Sequence, residues 1–88
     1  MNRGQKLKAV FARCDDNTLI KSLRTADARH ADEPGPQNAL VRTWCLNEVE
    51  KRFPDTVRAV DDEVDALFEE DENRSVNYTQ MLLAKLAA

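Results

Sequence analysis

Gln37 to Phe53 reads QNALVRTWCLNEVEKRF, and the fold turns on how this stretch is read. At about 100° per residue, Leu40 and Trp44 fall on one side, with Val41, Cys45 and Val49 next to them. Phe53, Leu46 and Ala39 widen the apolar arc to well over half the circumference. A helix apolar on most of its surface is expected to be buried on most of it. Trp44, the only Trp, offers the largest apolar side chain near its middle. The stretch is therefore predicted to be the central helix, with the other segments, each carrying one apolar stripe, packed around it.

Upstream, Leu7, Val10, Phe11 and Cys14 recur at helical spacing and predict a first helix from about Arg3 to Cys14. Asp15-Asp16-Asn17 interrupts it, because these short side chains favour helix caps over helix interiors. A second helix is expected over about Thr18 to Arg29, with Leu19, Ile20, Leu23 and Ala26 or Asp27 on its inner face. His30 to Pro36 (HADEPGP) reads as a loop, since two prolines and a glycine cannot continue a helix. Pro36 suits the first turn of the central helix.

Downstream, Phe53 precedes Pro54, and a residue before proline avoids the α region. A break is expected there, making either two helices or one kinked helix. The next stripe, Val57, Val60, Val64, Leu67 and Phe68, predicts a helix to about Glu70. Glu70 to Val76 reads as a charged loop. Asn77 and Gln80 have capping-box spacing and open a last helix, Tyr78 to about Leu86. No strand-like alternation occurs. The fold class expected is all-α, a small single-domain bundle of four to five helices around residues 37–53. It divides into a basic helical hairpin at about 3–29, a loop at 30–36 and an acidic three-helix part at about 37–87. The expected core is Leu7, Val10, Phe11, Leu19, Ile20, Leu23, Leu40, Val41, Trp44, Cys45, Val49, Val57, Val60, Val64, Leu67, Met81, Leu82 and Leu86.

A chain of 88 residues is one domain and buries only about 60–65% of its unfolded surface, so a stable monomer is marginal. Two Gly and three Pro are too few for a turn-rich β-sandwich or a disordered chain. No apolar run approaches the ~18 residues that cross a membrane. The N-terminus lacks the apolar core of a signal peptide, which predicts a cytoplasmic protein. Cys14 and Cys45 each fall on a helical stripe and are expected as buried free thiols. With no C-x-x-C and a single His, His30, no metal site is expected.

The net charge of −3 conceals an asymmetry. Residues 1–30 hold seven basic and three acidic side chains, whereas residues 31–88 hold six basic and thirteen acidic. From Asp61 to Glu72, eight acidic residues occur with no basic residue among them. Read as a calcium loop, this run has carboxylates at suitable positions but Ala66 where the sharp turn needs Gly. Its apolar residues also continue a helical stripe, and a helix aims such carboxylates in different directions.

Catalysis has little support. There is no Gly-rich phosphate loop, and Ser22 and Ser75 read as helix-surface and turn residues without a base beside them. The expectation is a non-enzymatic protein–protein interaction module without cofactor, metal or small-molecule ligand. It would act through an acidic face formed by Asp61, Asp62, Glu63, Asp65, Glu69 and Glu72. Two features are candidate apolar interfaces through which the chain could form a homodimer: the surplus of apolar positions on the central helix, more than its neighbours can cover, and the last helix with Tyr78, Leu82, Leu83 and Leu86. One alternative is a small DNA-binding regulator, with Lys6, Arg13, Lys21, Arg24 and Arg29 of the basic hairpin on the phosphates. The acidic hairpin turn and the net negative charge count against it. Another is an inhibitor whose acidic face imitates nucleic-acid phosphates before a basic partner.

Overall fold

Asp15, placed by the sequence in a helix break, sits at φ −73° and ψ 170° and accepts from the Thr18 N–H at 2.7 Å. It starts the second of five helices in the computed structural model, which describes residues 2–87. The helices are α1 (Arg3–Arg13), α2 (Asp16–Asp32), α3 (Pro36–Arg52), α4 (Pro54–Glu70) and α5 (Tyr78–Leu86). The fold is all-α, with no strand among the described residues. None of these helices is long and apolar enough to cross a membrane.

The end of α2 differs from expectation. The segment 30–36 is not a loop throughout: α2 runs on to Asp32, and only residues 33–35 lie between α2 and α3. Nothing before Pro34 blocks the α conformation. Glu33, the residue before that proline, is the one forced out of it, at φ −128° and ψ 82°. The same rule operates at Phe53, which sits at φ −129° and ψ 56° before Pro54. Residues 37–70 accordingly form two helices rather than one kinked helix.

The chain divides into two compact units, Met1–Arg52 and Phe53–Ala88. In the first, α1 and α2 both pack on α3. Phe11, Leu19, Leu23, Ala26, Cys45 and Val49 are buried there. Arg52, in the last turn of α3, holds the unit together by polar contacts. One of its Nη atoms donates to the Phe11 and Ala12 carbonyl oxygens at 2.9 and 3.2 Å, and the other pairs with Asp16 at 3.1 Å. Its Nε donates to Glu48 at 3.1 Å. The guanidinium thereby satisfies carbonyls that the end of α1 leaves without helical partners. At the other end of α3, the Asn38 amide donates to the Glu33 carbonyl at 2.8 Å and ties down the end of α2.

In the second unit α4 packs on α5. Val57, Val60, Thr79, Leu82 and Leu83 are buried, and Lys85 pairs with Glu63 at 2.7 Å. The side chain of Asn77 caps α5 by accepting from the Gln80 N–H at 3.1 Å. A second N-x-x-Q signature, Asn2 and Gln5, makes a complete capping box on α1.

Two core assignments are corrected, Val10 and Leu40, and eight residues of the expected core, Trp44 among them, are half-buried. Val10 is 57% and Leu40 49% exposed, and Trp44 is only half-buried. On α1, Val10 lies at the edge of the stripe, and Gly4 occupies the other edge against Trp44. On α3, Leu40 lies about 140° around the helix from Cys45 at 100° per residue. The buried side of α3 is centred on Cys45 and Val49, and two neighbours leave the Leu40 side uncovered. Leu7, Ile20, Val41, Val64, Leu67, Met81 and Leu86 of the expected core are half-buried.

Candidate functional site

The site is assembled most simply from α4, whose exposed face carries the acidic run. Val57, Val60, Val64 and Leu67 share one side of this helix and set its inward direction. Helical spacing then puts Asp61, Asp62, Asp65 and Glu69 together on the other side, within about a quarter turn of one another. All four are exposed. Phe68 lies at the border between the two sides, next to Asp61 and Asp65, and is 40% exposed. The result is a ridge of carboxylates with an aromatic ring at its edge.

Two residues of the expected acidic face stand apart from this ridge. Glu63 points the other way around the helix and is engaged by Lys85 of α5. Glu72 is exposed but lies beyond the end of α4. The helix continues through Glu70, so the carboxylates between Asp61 and Glu69 do not wrap a common centre. Among the described residues, no group of three or more His, Cys, Asp or Glu side chains is placed to hold a metal ion.

The candidate apolar interface on α5 is a correction. Leu82 and Leu83 are buried, and Tyr78 and Leu86 are half-buried. The inward side of this short helix centres on Thr79, with Leu82 and Leu83 one turn on. Their wide spread is what packing on α4 consumes, so it leaves no apolar patch formed by these four residues.

An exposed apolar cleft lies instead in the first unit. This cleft of about 270 Å³ is floored by Leu7, Ala26, Leu40, Val41 and Trp44. Among the described residues, those with charge that line it are Arg3 and Arg29. The Trp44 ring forms one wall because α1 carries Gly4 there: a Cβ at that position would meet the ring's Cη2 at 2.9 Å. Lys8 lies over the same ring, 5.4 Å from its centroid, in a cation–π arrangement. The sequence points to an exposed apolar patch on α3 through its surplus of apolar positions, wider than two neighbours can cover, but it places Leu40 and Trp44 themselves in the core.

The five basic residues considered for nucleic-acid contact, Lys6, Arg13, Lys21, Arg24 and Arg29, are all exposed. Lys6 and Arg13 share one side of α1, and Lys21 and Arg24 share the outer side of α2, whereas Arg29, about 140° round from Arg24, borders the cleft. The charge that is buried in this unit lies elsewhere: Asp27 is 6% exposed, with Arg42 at 3.4 Å. Hydrogen bonding to Thr18 holds the Asp15 carboxyl below its ordinary range. Burial opposes the charge on Arg52, but its hydrogen bonds to Glu48 and Asp16 outweigh that and raise its pKa. These are features of helix capping and packing. The chain matches no protein-family model, no curated protein and no solved structure.

Proposed function

We propose that this protein is a non-enzymatic helical interaction module that binds another protein through the outer face of α4. The observation that carries the reading is the exposed ridge Asp61, Asp62, Asp65 and Glu69 with Phe68 at its edge. A concentrated negative field steers a basic partner toward the face. An exposed aromatic supplies an anchor that desolvates on contact. The free thiols of Cys14 and Cys45 fit a reducing compartment, which supports a cytoplasmic location.

The test is a triple charge reversal, Asp61→Lys, Asp65→Lys and Glu69→Lys. Glu63 is left intact because it pairs with Lys85. The variant is expected to keep its helical circular dichroism and to lose the partners that the immobilised wild type retains at low salt. Retention of the same partners by the folded variant would remove α4 from the reading.

A second reading, nucleic-acid binding by α1 and α2, is supported by the exposure of Lys6, Arg13, Lys21, Arg24 and Arg29. It asks the acidic second unit to be carried alongside a phosphate-binding surface, which weakens it.

A further inference from the structure

We infer that the partner of the α4 ridge is the Trp44 cleft of a second copy of this chain, making a head-to-tail self-association. The inference rests on α4 being an interaction face and names what it meets. The two surfaces are complementary in both chemistry and charge. The cleft has an apolar floor including Leu40 and Trp44, is about 270 Å³ in volume, and among the described residues takes its charge from Arg3 and Arg29. The ridge presents one exposed ring, Phe68, with Asp61 and Asp65 beside it.

The units that carry the surfaces are oppositely charged. Residues 1–52 hold ten basic and seven acidic side chains, and residues 53–88 hold three basic and nine acidic. Phe68 entering the cleft would cover Leu40, the most exposed of its apolar residues, and bring carboxylates to Arg3 and Arg29. Aromatic and Arg residues with an apolar centre and charged rim are the usual anatomy of an interface core. The two patches are different surfaces of one chain, so the contact is heterologous. It propagates from copy to copy until it closes a ring or is limited by concentration.

The full chain is examined by sedimentation equilibrium at low and at moderate salt. The expected result is a mass that rises with concentration beyond the dimer at low salt and falls toward the monomer as salt screens the charge pairs. Two surface variants separate the patches. Leu40→Glu spoils only the cleft and Phe68→Ser only the ridge, and both positions are exposed enough for folding to be retained, as checked by circular dichroism. Each variant alone is expected to associate at least tenfold more weakly than the wild type. Mixed in equal amounts they retain one intact cleft and one intact ridge, and are expected to form a one-to-one dimer that goes no further.

A wild type that stays monomeric at low salt and high concentration overturns the proposal. So does association that neither variant weakens, or a mixture that fails to restore the dimer. A monomeric wild type that still captures another protein through Asp61, Asp65 and Glu69 would leave the interaction-module reading standing and sink only the second copy as partner.

Discussion

Cys45 shows how burial sets chemistry for a single side chain. It is fully buried in the first unit, and its Sγ lies 3.6 Å from the Leu19 carbonyl oxygen, to which the thiol donates. Burial pushes its pKa from 9.0 up to about 12. A pKa raised in the folded state means that folding favours the neutral thiol. The stabilising contribution is complete below the unfolded value and is lost as pH climbs from about 9 toward 12. The wild type is therefore expected to lose urea resistance more steeply across that range than Cys45→Ala does. Parallel slopes would show that the Cys45 thiol does not titrate with unfolding. The helical stripe of α3 already placed Cys45 inward. The same stripe could not separate Cys45 from Leu40 or Trp44, because it ranks residues by polarity alone. Which part of an over-wide apolar arc is covered depends on where α1 and α2 lie. Gly4 admits the Trp44 ring beside α1 while leaving it half open to solvent.

At the scale of the element, caps and prolines were the legible features. Asp15, Pro36, Phe53 and Asn77 act where their local chemistry requires, since each argument involves only neighbouring backbone groups. Loss of the Asn77 cap is expected to cost about 1 kcal/mol, the usual value for replacing an N-cap side chain by Ala. Asn77→Asp should restore most of that stability, and comparison of the urea midpoints of Asn77→Ala, Asn77→Asp and wild type checks both statements. An Asn77→Ala protein as stable as wild type would mean that α5 is held by packing through Thr79, Leu82 and Leu83 alone. The His30–Pro36 segment was the misread element. A proline excludes only itself and the residue before it from continuing a helix, and the residues from His30 to Asp32 had no reason to stop. The α5 interface was misjudged for a different reason. Nine residues offer little surface, and α4 takes the side that carries Leu82 and Leu83.

For the whole molecule, charge is the property with consequences. The acidic second unit repels nucleic acid while the exposed cations of α1 and α2 attract it. Fluorescence anisotropy with a labelled random-sequence duplex weighs the two. Under the protein-binding reading, no micromolar binding is expected at low salt. Binding that weakens steeply with salt would promote the reading in which Lys6, Arg13, Lys21, Arg24 and Arg29 contact phosphates. The all-helical class, most helix ends, the inward stripes and the polarity of charge were legible in the amino-acid sequence. Each of these depends on periodicity, on prolines or on short-range capping, which are local properties of the chain. Packing settled the rest: α3 takes α1 and α2 as neighbours, α5 lays its apolar side on α4, and Leu40 and Trp44 face an open cleft. Those outcomes depend on which surfaces meet over long sequence separations, and helical periodicity carries no information about the partner of an apolar face.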